Sequence, residues 1–283
     1  MATGYSLHIG LNSVNASSYD GWSGTLRACE NDARDMAAIA GSLGYQSTTL
    51  LTKSATARKV IAAITKAAGA MQAGDVFWLT YSGHGGQVPD RNGDEATADS
   101  GEIGETADRY DETWVLYDRM LVDDELWALW SLFPPKARIV MLSDSCHSGT
   151  VARAPVGPGA PARRKPAAAS RRMPMDVEER TYAAHRRTYD RIQRSVPPRT
   201  SADVKATIEL VSGCQDNQES LDGRVNGLFT EELLKAWGDG SFTGSVKKLR
   251  DVVSKRMPPT QTPNYYVVGA TNQAFTRSRA FSI

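Results

Sequence analysis

The chain has 283 residues, a mass of 30.7 kDa and a formal net charge of +1 at pH 7. Its 41% hydrophobic and 23% charged residues are typical of a globular protein, and the near-zero charge excludes a global argument for binding nucleic acid or membranes. Three cysteines without regular spacing argue against a disulfide scaffold and favour a reducing compartment, so we predict a cytoplasmic location. We expect neither a signal peptide nor a membrane span, because no suitable apolar run is visible.

The first eighty residues alternate between strand and helix patterns. Strands are predicted at 6–11, 46–52 and 76–79 from their short apolar runs. Helices are predicted from 29 to 43 and after Ser54, a possible N-cap, because apolar residues recur there at helical spacing. This order predicts a mainly parallel sheet with helices on both faces.

The third strand leads into a histidine between glycines, in the segment Tyr81-Ser82-Gly83-His84-Gly85. Glycines allow unusual backbone dihedral angles and a close approach of a ligand to the backbone. Burial in a core therefore explains His84 poorly, and a functional imidazole at the sheet edge explains it better.

The stretch from Gln87 to Glu112 is long for a connection and carries nine acidic residues against two arginines. A solvated acidic loop would explain it, and so would calcium binding. The EF-hand pattern does not fit, because Gly93 is the fourth residue counted from Asp90 rather than the sixth. A small hairpin is predicted from Thr113–Tyr117 and Met120–Val122, followed by an apolar helix that begins at Asp123.

A fourth strand, 139–142, ends in the segment Asp144-Ser145-Cys146-His147-Ser148-Gly149. An open α/β sheet places its ligands and chemistry at the carboxyl ends of its strands. Cys146 and His84 are therefore predicted to meet at one sheet edge, where an imidazole can activate a thiol. The alternative is a cysteine packed as a small hydrophobic residue.

Residues 151–205 contain thirteen basic residues against five acidic ones, and Pro, Ala and Gly crowd the first half. This composition predicts a solvated linker with a helix from about 175 to 193. Binding of nucleic acid is an alternative that we disfavour, because no aromatic platform or recognised module accompanies the charge. After the linker, strands are predicted at 207–212 and 264–268, and helices are predicted at 227–237 and 245–257.

Four segments resemble, in order, the motifs of the metacaspases and of their bacterial relatives, the orthocaspases. They are the segments at His84 and Cys146, together with Arg27-Ala28-Cys29-Glu30-Asn31-Asp32-Ala33 and Val211-Ser212-Gly213-Cys214-Gln215-Asp216. The resemblance runs from about residue 6 to about residue 270. It implies a caspase-like three-layer α/β sandwich, with a mostly parallel sheet of about six strands, helices on both faces and a small hairpin. It also implies a large-subunit-like part at 1–150, a basic linker at 151–205 and a small-subunit-like part at 206–283.

The activity implied by the resemblance is hydrolysis of peptide bonds by a thiol protease. Cys146 would be the nucleophile and His84 its acid–base partner, and the backbone N–H groups of Gly85 and Cys146 would stabilise the oxyanion. His147 is a competing imidazole, and no third catalytic residue is identifiable. A catalytically inactive caspase-like scaffold, a thiol transferase and another hydrolase are alternatives.

The residues that match the metacaspase specificity pocket are Cys29, Asp32, Ser82 and Asp144. Two carboxylates would repel an acidic side chain and pair with a guanidinium, so we expect cleavage after Arg, and after Lys second. The expected partners are proteins or peptides with exposed Arg or Lys and an upstream activating protease, but no nucleic acid and no membrane.

No cofactor is expected for the chemistry itself. The resemblance raises the possibility of an activating calcium ion, for which the candidate ligands are Asp108, Asp111 and Glu112. The basic linker contains candidate cleavage sites for an enzyme that prefers Arg. We therefore predict a zymogen with autocatalytic cleavage. The alternative is a linker without a regulatory role. The candidate sites are Arg163, Arg164, Lys165, Arg171 and Arg172.

Overall fold

The computed structural model describes residues 1–93, 110–145, 170–196, 203–214 and 220–283. These residues form nine strands: β1 (Gly4–Gly10), β2 (Gln46–Leu51), β3 (Val76–Ser82), β4 (Gly85–Pro89), β5 (Tyr110–Val115), β6 (Met120–Val122), β7 (Arg138–Asp144), β8 (Thr207–Ser212) and β9 (Asn264–Gly269). They also form seven α-helices: α1 (Cys29–Ser42), α2 (Ala57–Ala70), α3 (Asp123–Trp130), α4 (Met175–Ser195), α5 (Leu228–Trp237), α6 (Val246–Ser254) and α7 (Gln273–Arg277).

Six strands form one central sheet in the order β2-β1-β3-β7-β8-β9. All neighbouring pairs are parallel except β8 and β9, which are antiparallel. The middle strands β3 and β7 are buried along most of their length, as expected of a parallel sheet covered on both faces. The predicted α/β fold class with about six strands is confirmed.

Helices cover both faces of this sheet because each of them presents an apolar face. On α2, Val60, Ile64 and Ala68 recur at helical spacing and are buried on one side of the sheet, where α3 also packs. On the other side, α1, α5 and α6 bury a second cluster of apolar side chains around Trp78. These two cores fix the strand ends whose side chains form the site.

A second, three-stranded sheet follows β3 in the order β4-β5-β6. Only β5 and β6 were predicted, as the small hairpin. β4 was missed because its sequence Gly-Gly-Gln-Val-Pro has two glycines and a proline, which are depleted in strands. One face of this sheet turns toward the main core through Trp114, and the other packs under α4.

Local corrections concern helix ends. Ser54 does not cap α2. Ser54 lies in a short 3-10 turn, where its hydroxyl accepts a hydrogen bond from the N–H of Leu51. The N-cap of α2 is Thr56, whose Oγ1 accepts the N–H of Lys59. The predicted linker helix is present as α4, with two further residues at its C-terminal end. The short helix α7 was not predicted.

Within the residues that the structure describes, no helix is long and apolar enough to cross a membrane.

Candidate active site

The four predicted pocket residues lie together at the carboxyl edge of the central sheet. Ser82 and Asp144 end β3 and β7 and are direct partners in the parallel register. Asp32 comes from the first turn of α1, and the Ser82 hydroxyl donates to its Oδ2 over 2.7 Å. α1 can approach β1 this closely because of Gly10, at which a Cβ would lie only 2.2 Å from the carbonyl oxygen of Cys29.

The space between these side chains is filled by Arg171, whose side chain is fully buried. Its Nη2 lies 2.8 Å from Oδ2 of Asp32, and its Nη1 lies 2.8 Å from Oδ2 of Asp144. Nη1 also donates to the Ser82 hydroxyl and to the backbone carbonyl of Asp144, each over 3.0 Å. The guanidinium is thus held by charge-assisted bonds on both of its terminal nitrogens.

A third carboxylate, which the sequence did not reveal, completes the pocket. Oδ1 of Asp222 lies 3.1 Å from Nη2 of Arg171, and its two oxygens accept the backbone N–H groups of Arg27 and Ala28. Gly227 closes the pocket from the same side, and a Cβ there would lie 2.3 Å from Nη2. Only glycine therefore leaves room for the guanidinium.

The charges in this pocket determine its protonation. Burial alone would lower the pKa of Arg171, but the carboxylates around it, Asp144 foremost, raise the pKa well above its usual range. Burial raises the pKa of Asp32, and Arg171 partly offsets this. Burial also raises the pKa of the fourth predicted residue, Cys29, to about 12, so its thiol stays protonated and is not a competing nucleophile.

The backbone around Arg171 is bound between β4 and the irregular segment that begins at Ser220. The N–H of Arg171 donates to the carbonyl of Ser220, and its own carbonyl accepts the N–H of Gly85 over 2.9 Å. The N–H of Met173 then donates to the carbonyl of Gly85 over 2.9 Å. Gly85, one of the two predicted oxyanion donors, therefore contacts the carbonyl of a basic residue whose side chain fills the acidic pocket.

His84 lies between β3 and β4, adjacent to this contact, and is 6% exposed. Its Nε2 donates to the carbonyl of Gly24 over 3.2 Å, and its ring packs edge-on against Trp22 with centroids 4.8 Å apart. Burial lowers the pKa of His84 to about 4, so the imidazole is neutral at pH 7. With the proton on Nε2, Nδ1 carries the lone pair and has no hydrogen-bond partner within the described residues.

Several predicted residues lie outside the described residues: Cys146, His147, Asp108, Arg163, Arg164 and Lys165. Ser145, which directly precedes Cys146 in the chain, is buried at the end of β7. Of the remaining processing candidates, Arg171 fills the pocket and Arg172 follows it half-buried.

The two described calcium candidates are neighbours on β5, where successive side chains point to opposite faces. Asp111 is fully buried, whereas Glu112 is half-buried and accepts a weak hydrogen bond from Gln87 over 3.5 Å. Among the parts of the chain that the structure covers, no group of three or more His, Cys, Asp or Glu side chains is arranged to hold a metal ion. Calcium binding therefore stays a prediction.

Comparison with known proteins places these features in one family. Residues 13–275 match the model of the caspase domain. The chain is 27% identical to metacaspase-1 of Schizosaccharomyces pombe over 289 aligned positions, which cover 88% of this chain and 64% of that protein. It spans less than two thirds of the length of this and the other first curated relatives that it matches.

Solved structures agree with this result. Protein GSU0716 of Geobacter sulfurreducens is 46% identical, with a TM-score of 0.85 and 99% of both chains covered. Caspase-1 of Spodoptera frugiperda shares the fold at 11% identity, with a TM-score of 0.53, 99% of this chain and 90% of that one covered. Because the caspase-domain model matches residues 13–275 and metacaspases are among the relatives of this chain, the chain belongs to the caspase-domain peptidases and is metacaspase-like.

Proposed function

We propose that this protein is a cysteine endopeptidase that cuts after Arg, and after Lys second, with Cys146 as nucleophile and His84 as its acid–base partner. The observation that carries the proposal is Arg171 itself. Its guanidinium is held by three carboxylates while its carbonyl accepts the N–H of Gly85. A side chain and a carbonyl held in this way are what an enzyme needs in order to attack the peptide bond after a basic residue.

The chemistry of the pocket supports the preference for Arg over Lys and Asp. The planar guanidinium donates to partners on both terminal nitrogens, whereas a lysine ammonium is a single point charge and makes fewer of these bonds. An aspartate side chain would face the carboxylates of Asp32, Asp144 and Asp222 and would be repelled.

The proposed reaction proceeds through a thioester. Nδ1 of His84 takes the thiol proton, and the sulfur of Cys146 bonds to the carbonyl carbon while the carbonyl oxygen becomes an oxyanion bound by the N–H of Gly85. The C–N bond then breaks, and the imidazolium gives its proton to the departing amine. Water attacks the thioester carbonyl while one of its protons passes to His84. The C–S bond then breaks, and His84 returns the proton to the sulfur, which leaves the acid product and the free thiol of Cys146. The carbonyl of Gly24 orients the ring throughout.

The resident segment also supports a proposal for regulation. Because Arg171 fills the pocket, no other basic residue can enter it until this segment leaves. We propose that the chain is a zymogen whose linker is an internal inhibitor, and that the bond between Arg171 and Arg172 is cut by the protein itself or by an upstream protease. Of the candidate linker sites that the structure describes, only Arg171 has its side chain in the pocket and its carbonyl at Gly85.

Mass spectrometry of the purified protein tests this cleavage. The wild-type chain should yield two fragments, one ending at Arg171 and one beginning at Arg172, whereas Cys146→Ala should stay whole until wild-type enzyme or an activating protease is added. Fragments cut only elsewhere in the linker would contradict the assignment of Arg171.

A fluorogenic assay tests the activity. The cut protein should release coumarin from a peptidyl-Arg substrate, more slowly from the Lys analogue and not from the Asp analogue. Cleavage after Asp alone would contradict the proposed specificity, and no cleavage of any analogue would favour the alternative of an inactive caspase-like scaffold.

The docking of α4 should depend on pH through Glu178, which is 7% exposed. Its surroundings are the backbone of Gly86, the N–H of Gln87, Thr113 and the charges of Arg172, Glu179 and Glu112. Burial raises the pKa of Glu178 to about 7. Because this value lies above the ordinary one, the stabilising contribution of the protonated acid is complete below about pH 4.5 and is lost as the pH rises through about 7.

Urea unfolding of the Cys146→Ala chain at pH 5.5 and pH 8 measures this effect. Between these two pH values, Glu178→Gln should remove a pH-dependent difference of about 2 kcal/mol in the free energy of unfolding. The control is the exposed neighbour, in Glu179→Gln, which should keep the full pH dependence. An unchanged pH profile in Glu178→Gln would show that the carboxyl is hydrated.

Calcium activation remains a separate prediction. If Asp108, Asp111 and Glu112 contribute to a site, millimolar calcium should raise the rate of Arg-substrate hydrolysis, and Asp111→Ala should remove that response. Full activity in excess chelator would instead mean that the peptidase works without calcium.

A further inference from the structure

The segment that carries Arg171 has a second buried side chain, two residues further on. Met173 is fully buried, although Arg172 before it is half-buried and Pro174 and Met175 after it are exposed. This alternation is that of an extended peptide whose every second side chain enters the protein. Arg171 enters the acidic pocket, and Met173 enters a different, apolar one.

The apolar pocket is built from three parts of the chain. The outer face of the small sheet contributes Val88, Val115, Met120 and Val122, and the segment after β1 contributes Val14 and Tyr19. All six are buried in the same cluster as Met173. The first two turns of α4 close the pocket with Val177 and Tyr182, which belong to the same cluster.

The backbone fixes where a bound peptide places this side chain. Gly85 accepts the N–H of Met173 and donates its own N–H to the carbonyl of Arg171. Both bonds are made by main-chain atoms, so a substrate can make them with any residue except Pro at the position of Met173. A peptide whose basic residue occupies the acidic pocket therefore has its second residue after the cut bond at the mouth of the apolar pocket.

We propose that this cluster is a substrate subsite for an apolar side chain of about the size of Met or Leu, two residues after the cut bond. The inference rests on the proposed endopeptidase function. Cutting after Arg171 makes Arg172 a free amino terminus, so Arg172 and Met173 can leave the subsite for a substrate while α4, whose first N–H groups bond to Pro174, stays packed on the small sheet.

Internally quenched peptides test the subsite with the full-length, self-cut protein. They copy the segment Ala-Ala-Ser-Arg-Arg-Met-Pro-Met-Asp of residues 168–176, with Ala at the position of Arg172 so that one Arg remains. Met, Leu, Ala or Asp is placed at the position of Met173. The matched control carries Asp at the position of Met175, which is exposed in the protein.

The expected result is a difference in kcat/KM, because an apolar subsite discriminates by burial and rejects an unpaired charge. Met and Leu peptides should be cut at least about tenfold faster than the Asp peptide, with Ala between them, and the Met175 control should be cut at the rate of the Met peptide. A further peptide carries Phe at the position of Met173. Val88→Ala, which shortens a side chain of the cluster, should raise the ratio of kcat/KM for this Phe peptide to that for the Met peptide.

A peptidyl-Arg-coumarin substrate tests the proposed function separately from the subsite, because it has no residue at the position of Met173. If it is hydrolysed while the Met and Asp peptides are cut within twofold of each other, the subsite is refuted and the proposed function stands. If Asp at the position of Met173 and Asp at the position of Met175 lowered kcat/KM equally, the subsite would also be refuted, because the effect would then come from the negative charge alone. If neither coumarin nor peptides are released, the proposed function fails and the subsite with it.

Discussion

Replacing Arg171 with glutamine is expected to lower the free energy of unfolding by about 3–5 kcal/mol and to abolish cutting after this position. The substitution leaves Asp32, Asp144 and Asp222 buried without a counter-charge, and breaking a buried ion pair from one side costs far more than the pair contributes as a whole. Urea unfolding in the Cys146→Ala background measures the loss without interference from cleavage.

Two variants control this experiment. Arg180→Gln removes an arginine that pairs with Asp20 and Asp176 at the surface, where ion pairs contribute little, so its unfolding curve should stay close to that of the parent. Arg171→Lys keeps one positive charge but loses the planar guanidinium with its two terminal nitrogens. This variant should have an intermediate stability and should still be cut, but more slowly. A glutamine variant as stable as Arg180→Gln would show that the pocket exchanges Arg171 for water freely.

Replacing either member of the proposed dyad is expected to have the largest effect on catalysis. Cys146→Ala should reduce hydrolysis of the Arg substrate to background, because the two remaining thiols of the chain, those of Cys29 and Cys214, are both buried. His84→Ala should lower kcat/KM by about 10²–10⁴-fold, the usual contribution of a general acid–base. Both variants should keep the far-ultraviolet circular dichroism of the wild type.

His147→Ala is the matched control for the imidazole. It removes the neighbouring ring and should affect kcat/KM much less, since His84 is the histidine that contacts Gly24 and lies next to Gly85. If His147→Ala were as damaging as His84→Ala, the assignment of the base would be wrong.

The sequence was informative where a side chain lies at the end of a regular element. Ser82 and Asp144 each follow an apolar run, and parallel strands bring such ends to one edge, so their proximity followed from pattern alone. Asp32 was placed there by its position in the first turn of α1. The alternation of strands and helices along the chain, and with it the mainly parallel sheet, followed from the same periodicities.

Other parts of the site carried no such pattern. Asp222 lies in the irregular segment before α5, where an acid in the sequence has the appearance of an ordinary solvated residue. Gly24 acts through its backbone carbonyl, which any residue possesses. Arg171 was one of many basic residues in the linker, and it differs from Arg172 through its contacts in the fold: its ion pairs with Asp32, Asp144 and Asp222 and its backbone bonds to Gly85 and Ser220. These features depend on tertiary contacts between distant segments.

The central sheet contains strands from both sides of the proposed cleavage site, and this has a practical consequence. Strands β1, β2, β3 and β7 precede Arg171 and β8 and β9 follow it, with β7 and β8 paired along six residues. The pocket is divided in the same way, since Asp32, Ser82 and Asp144 belong to one piece and Asp222 and Gly227 to the other. Residues 1–171 and 172–283, produced as separate polypeptides, therefore form a natural pair for a split-protease reporter, in which proteolysis appears only where the two halves meet.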